Sequence, residues 1–381
     1  MIPVTKPFLP SLAVFQSYVE SIWTRQWLTN NGPLVNEFEY EMKNHLNLSN
    51  FLFVTNGTVA LQMAIHALDL KGEIITTPFS FVATTSSIVW QGCKPVFVDI
   101  DCETLNIDVT KIEAAITPYT TAILATHVFG NPCDIEAIEA IAKRHRLKVI
   151  YDAAHCFGVT YNGKSIFSYG DISITSFHAT KLFHTIEGGG IFTKSEQLLN
   201  KINVMRNFGY SGTDTFSEIG TNAKNSEVHA AMGLCNLKHI DEILASRKEL
   251  YNFYREGLAA CDLQFQVIQP KADFNYSYFP VIFDSEEAML HCKLQLEKSE
   301  IYCRRYFYPS LSALPYINKI DMPICDSIAK RIMCLPMYHT LGQMERALIV
   351  QIIIDTQKST MDRHIAINSL ETTAVSIVTA I

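Results

Sequence analysis

The sequence predicts an α/β fold: a mainly parallel central sheet flanked by helices, with a smaller C-terminal α+β domain. Three observations lead there. Through the first 200 residues, short and continuously apolar runs alternate with longer runs of helical spacing; strands without polar alternation are the kind buried on both faces of a parallel sheet. Near residue 240 the pattern changes to a long charged helix, "IDEILASRKELYNFYREGLAA", and the runs after it are shorter and more mixed. The chain has 381 residues, 48% of them hydrophobic and 18% charged, enough for two cores and too apolar for disorder. We therefore place a large domain over 1–240 and a small one over 241–381.

The elements follow in order. "NFLFVT" (50–55) reads as a strand and "TVALQMAIHALDL" (58–70) as the helix after it. "EIITT" (73–77) precedes the helical "FVATTSSIVWQG", and "KPVFVD" (94–99) is a third strand. "TAILATH" (121–127) leads to a helix around 134–145, and "LKVIYDAA" (147–154), "ISITSF" (172–177) and "GGIFT" (189–193) supply further strands. There are no repeats, and the tail from about 357 is polar, then weakly apolar, without a functional pattern.

Composition removes several function classes. A net charge of −7 gives no electrostatic footprint for nucleic acid or an anionic membrane. The start "MIPVTKPFLP" lacks a charged segment leading into an apolar one, and no apolar run approaches bilayer length, so a cytoplasmic protein is expected. The ten cysteines form no CxxC pair, which argues against a metal site or a redox motif and for reduced, mostly buried thiols.

Three features sit at predicted carboxyl ends of strands, the ligand edge of an open α/β sheet. "TNGT" (55–58) places Gly57 and the Thr58 amide at a helix start, where an anion is favoured. By itself it reads as an ordinary helix cap. Asp152 ends the strand of "YDAAHCFG"; a carboxylate there needs a cation or donors, and alone it reads as a turn cap. Lys181 follows "ISITSF" in "TSFHATKLFHTIEGGG", and most loop lysines are only solvated. Glycines 188–190 let a backbone pass close to something bulky, or turn back beside a ligand. Taken together, a phosphate cradle, an acid and a lysine are what pyridoxal phosphate requires, and Phe81 in "TPFSFVAT" adds an aromatic for its ring. No GxGxxG follows an early strand, so a nicotinamide site is not supported.

At this point the chain resembles a known group, the DegT/DnrJ-type sugar aminotransferases of the aspartate aminotransferase fold (fold type I). The resemblance runs through "WLTNNGPLVNEFE", "VTNGTVALQMAIHAL", "PFSFVATTSSIVWQGCKPVFVDID", "DAAHCFG", "SFHATK", "GTNAKNSEVHAAMGL", "RRYFYPSL" and "CLPMY". It implies that Lys181 bonds the aldehyde of pyridoxal 5'-phosphate as a Schiff base, that Asp152 partners the ring nitrogen and that His155 lies near the ring hydroxyl. It further implies that Phe81 stacks on the ring, that Gly57, Thr58 and Ser176 contact the phosphate, and that Asn222 reaches the phosphate of a neighbouring subunit in a homodimer with shared sites. The activity implied is ping-pong transfer of an amine from L-glutamate to a keto nucleotide sugar.

"SFHATK" with "EGG", "GTNAKNSEVHAAMGL" and the opening "IPVTKPFL" look like the subgroup acting at C-4 of dTDP-4-keto-6-deoxyglucose, and the "GRLDxLQAA" pattern of C-3 enzymes is absent. Asn225 departs from that subgroup's usual methionine. Arg304 and Arg305 suit a diphosphate or are solvated surface charge; Tyr306 and Tyr308 line the sugar site or pack in the small domain. His178 is read as an active-site donor and His184 as structural. The alternatives are a 3-keto nucleotide-sugar aminotransferase, a pyridoxal-phosphate sugar dehydratase (in which histidine replaces the lysine) and a non-catalytic regulatory relative. The product amino sugar would serve a surface polysaccharide such as O-antigen, or a glycosylated metabolite.

Overall fold

The computed structural model describes residues 1–358, so the tail 359–381 lies outside the described residues. Two helices open the chain, α1 (Leu12–Arg25) and α2 (Pro33–Leu46). There follow β1 (Leu52–Val54), α3 (Gly57–Ala67), β2 (Glu73–Thr76), α4 (Val82–Trp90), β3 (Lys94–Phe97) and β4 (Thr120–Thr126). Next come α5 (Ile135–His145), β5 (Lys148–Asp152), β6 (Ile172–Ser176), β7 (Gly189–Phe192), α6 (Glu196–Arg206), α7 (Glu227–Leu237) and α8 (Ile240–Gly257). The strand and helix runs read from the sequence map onto these elements to within a few residues. α1 and α2 were not foreseen.

The seven strands form one sheet in the order β1-β7-β6-β5-β4-β2-β3. The pairs from β6 through β5, β4 and β2 to β3 are parallel; β7 is antiparallel to both its neighbours, so it alone runs against the sheet. Every residue of β2 and of β7 is buried, which is why these segments show no polar alternation. One face packs on Phe38, Met42, Phe177 and Phe183, the other on Ala60, Leu61, Ala64 and Ile202.

A buried carboxylate joins the N-terminal helices to this body. Glu227, at the start of α7, accepts from the amides of Leu34 and Val35, each at 2.9 Å, satisfying two orphan donors of α2. A Cβ at Gly32, the residue before α2, would come within 2.6 Å of that carboxylate.

The C-terminal part holds a small antiparallel sheet of β8 (Gln264–Phe265), β9 (Pro280–Ile282) and β10 (Ile332–Cys334), with α9 (Glu286–Lys298) and α10 (Pro323–Arg331). The boundary expected at 240/241 falls at the first residue of α8. That helix is shared: Ile240 and Ile243 lie in the core under the large sheet, while Leu250, Tyr254 and Leu258 lie in the C-terminal core. Ile2 also pairs with Ile301 and joins the C-terminal core. No helix among the described residues is long and apolar enough to cross a membrane.

Candidate active site

Five of the parallel-running strands deliver their carboxyl ends to one cleft of about 490 Å³. β1 leads into Gly57 and Thr58; β2 into Ser80 and Phe81; β4 ends on Thr126, β5 on Asp152 and β6 on Ser176. From the C-terminal part come Tyr278, Arg304, Tyr306 and Phe307.

The lysine loop is pinned from both sides. Phe177 donates its amide to the Gly188 carbonyl at 2.8 Å, closing the loop, and the Lys181 amide donates to the His178 carbonyl at 2.8 Å. Leu182 and Phe183, next to the lysine, are buried; the Phe183 ring stacks on Phe157 at 4.2 Å and meets Phe177 edge-on at 5.3 Å. The apolar company of Lys181 is thus the anchor that fixes its backbone. Desolvation brings the amine down to about 8, with Asp152 opposing the shift.

Asp152 is buried. Its Oδ2 accepts from Thr84 Oγ1 at 2.8 Å and its Oδ1 from the Ala154 amide at 3.2 Å. Burial pushes the carboxyl up, against these bonds and Lys181. Thr84 in turn lies 2.7 Å from Ser80 Oγ, which lies 3.1 Å from Thr126 Oγ1. Because Thr84 spends its proton on Asp152, Ser80 must donate to Thr84 and accept from Thr126, so the three hydroxyls point one way.

His155 accepts the Phe129 amide on Nδ1 at 3.2 Å, which places the ring proton on Nε2. Desolvation and Lys181 hold it well below the usual histidine range, so it is a neutral donor. Tyr278 tilts against it at 4.7 Å.

At the cradle, Asn56 caps α3 by accepting from the Val59 amide at 2.8 Å, and a Cβ at Gly57 would lie 3.0 Å from Ser176 Cβ. Glycines 188–190 have a different role from a turn. Gly189 and Gly190 are in β7, and a Cβ at Gly189 would lie 2.5 Å from the Asn56 carbonyl. The strand passes directly behind the cradle; the positive φ in this loop belongs to Ile186, at 70°.

A family model described as the DegT/DnrJ/EryC1/StrS aminotransferase family matches residues 13–354. The chain belongs to that family. The aminotransferase is 44% identical over 348 residues to dTDP-4-amino-4,6-dideoxy-D-glucose transaminase of Shigella dysenteriae, covering 89% of this chain and 94% of that one. It is 40% identical over 354 residues to the enzyme of the same name from Escherichia coli, covering 90% and 95%. Among solved structures, DesI in the presence of its TDP-sugar product superposes with a TM-score of 0.89 at 30% identity, covering 95% of each chain.

Of the residues singled out in the aminotransferase's sequence, Gly57, Thr58, Phe81, Asp152, His155, Ser176, His178, Lys181, Arg304 and Tyr306 line the cleft. Arg305 does not: it is bonded to Glu286 at 2.7 Å and to the Lys330 carbonyl at 2.9 Å, with its guanidinium over Tyr308. Tyr308 likewise lies outside the lining, and so does Asn222, which accepts from Lys224 Nζ at 2.9 Å on an exposed segment. His184 is buried, donating from Nε2 to the Phe8 carbonyl at 2.7 Å. Asn225 donates to the carbonyls of Val54 and Glu187, at 3.2 and 3.1 Å, joining β1 to the lysine loop. Thr84, Ser80, Thr126, Glu187, Tyr278 and Phe307 escaped the sequence reading.

Proposed function

We propose that this aminotransferase moves the amino group of L-glutamate to the 4-keto carbon of dTDP-4-keto-6-deoxyglucose, giving dTDP-4-amino-4,6-dideoxyglucose, with pyridoxal phosphate as cofactor. The likeness over about 90% of the chain to two enzymes named for that aminosugar carries the substrate.

The cleft's own chemistry fits the cofactor. The Gly57 and Thr58 amides have no acceptor among the described residues and stand at a helix N-terminus beside the Ser176 hydroxyl, a setting for a phosphate. Asp152 is buried with only neutral donors bonded to it, so a cationic ring nitrogen would offset its desolvation. Phe81 is 55% exposed and offers a ring face for stacking.

When bound, pyridoxal phosphate supplies an aldehyde for the amine and a protonated ring that withdraws electrons from the substrate carbon. Asp152, ionised, keeps the proton on the ring nitrogen. His155, with its proton on Nε2, would be the donor to the ring oxygen. Lys181, whose amine near 8 is partly neutral at working pH, takes the proton from the donor carbon and later delivers one to the sugar carbon. Glutamate is converted to 2-oxoglutarate before the sugar accepts the amine.

The same reading makes the enzyme a cytoplasmic homodimer in which Asn222 serves the partner's site. Its position outside its own cleft, near the exposed Phe216 and Ile219, favours this. Incubation with glutamate and a panel of 3-keto and 4-keto nucleotide sugars, with products identified by mass and NMR, tests the proposal. The 4-amino product from the dTDP sugar is expected; a 3-amino product, or loss of water without amination, refutes it.

A further inference from the structure

We propose that Arg304 is the counter-charge for the carboxylate next to the reacting amine of the amino-acid donor, and not a ligand of the nucleotide sugar's diphosphate. The inference rests on the reading of the site as a glutamate-dependent aminotransferase.

The two substrates make opposite demands on one cleft. The donor carries a carboxylate on the very carbon that loses its proton. The sugar carries no charge near C-4; its diphosphate is on the anomeric carbon, across the ring. A carboxylate brought beside Lys181 must exchange its water for a cation or several donors. Among the residues lining the cleft, only Lys181 and Arg304 are lysine or arginine. Lys181 works as a neutral amine, which leaves Arg304.

Arg304 is free for this role. It forms no ion pair with a carboxylate among the described residues, and the two carboxylates lining the cleft are engaged elsewhere. Asp152 is held by Thr84 and Ala154, and Glu187 faces His178 Nε2 at 3.5 Å. Its neighbour Arg305, by contrast, is committed to Glu286.

Arg304 is also on the appropriate wall. Its backbone pairs with Cys334 at the edge of the small sheet, and its guanidinium lies 5.1 Å from the Tyr306 ring centre. Tyr306 meets Tyr278 edge-on at 5.8 Å, and Tyr278 packs on His155. This row of rings reaches the sheet at β5 and β4, through His155 and Phe129, whereas the phosphate cradle belongs to β1 and β6. Asp152 ends β5, the strand next to β6. The guanidinium beside Tyr306 pairs with no carboxylate among the described residues, so its fork can take one bidentately, and it needs no rebuilding when a neutral sugar ring takes the same space.

The test uses holoenzyme in single turnovers, following the absorbance of the bound cofactor. Wild type, Arg304→Gln and Arg304→Lys are compared in amine loading from L-glutamate and, separately, in the reverse half-reaction from dTDP-4-amino-4,6-dideoxyglucose. Glutarate, an unreactive dicarboxylate, is titrated as a competitor. We expect Arg304→Gln to weaken the apparent affinity for glutamate and glutarate about 10–100-fold, with the aminosugar half-reaction within about threefold of wild type and Arg304→Lys intermediate. Equal losses in both halves, a loss confined to the aminosugar, or no loss in either, overturns the assignment. A wild type that loads from the aminosugar but not from glutamate refutes the donor reading itself, and this inference with it.

Discussion

Thr84 Oγ1 donates to Asp152 Oδ2 at 2.8 Å, the final link of an oriented row of hydroxyls that begins at Thr126. Burial raises the Asp152 carboxyl above the ordinary aspartate range, and the Thr84 bond is the largest influence holding it down. The ionised form does the work, so activity should fall as pH drops through the raised value. Thr84→Val should move that acid limb of the kcat/KM profile to higher pH. For stability the sign is opposite. The ionised, buried Asp152 destabilises the cofactor-free fold, so stability falls as pH rises from the ordinary aspartate range through the raised value. Thr84→Val should enlarge that fall and cost about 2 kcal/mol at neutral pH, read from denaturant unfolding. An unmoved acid limb would show that another group sets it.

Lys181 should react as an unusually acidic lysine. In cofactor-free protein, the pH dependence of its acylation should report a pKa of about 8. Asp152→Asn removes the charge that raises this value and should push it lower still. Borohydride treatment of the holoenzyme should leave the cofactor on the peptide containing Lys181, and Lys181→Ala should lower transamination at least about 10³-fold. Labelling at another lysine would reassign the site.

Gly189→Ala tests the contact behind the cradle. The added Cβ, 2.5 Å from the Asn56 carbonyl, has only backbone to displace. We expect a loss of about 1–3 kcal/mol in stability, and a weaker affinity for pyridoxal phosphate than a destabilised but undistorted variant would show. Calorimetric titration of the cofactor, alongside unfolding, separates the two effects.

Sharing of sites between subunits is checked by mixing. Asn222→Ala and Lys181→Ala variants, each poorly active alone, should regain activity when unfolded together and refolded, up to about a quarter of wild type if chains pair at random and one intact site forms per mixed dimer. If Asn222→Ala alone keeps full cofactor affinity, the site is complete within one chain.

The parts of the site that lie within one strand-to-helix turn were legible from sequence, because each turn carries its own signature. Asp152 at the end of "KVIYD", Lys181 after "ISITSF" and Phe81 after the strand at 73–76 all fall where local pattern places them. The hydroxyl row was not legible, since Thr126, Ser80 and Thr84 come from two strand ends and become neighbours only when β2 pairs with β4. Nor could the sequence decide between Arg304 and Arg305. Adjacent residues on an extended segment face opposite ways, and which one meets the cleft depends on the register Arg304 adopts against Cys334. The glycine run left two roles open. Flexibility and thinness are both reasons for glycine, and here thinness explains Gly189, while Ile186 makes the left-handed turn.

Helix α8, seated at its start in the core under the large sheet and at its end in the C-terminal core, has a mechanical consequence. Arg304 and Tyr306 lie on the C-terminal wall of the cleft, where the adjoining Phe307 packs on Phe79 and Phe129 of the large body, whereas Lys181 and Asp152 belong to the sheet. Any widening of the cleft must tilt or flex one continuous helix whose two halves are buried in different places. The gap between the two walls is therefore held by α8 together with the packing of Phe307 on Phe79 and Phe129, and a proline placed midway, at Ser246, would loosen the first of these ties while leaving every cleft residue unchanged.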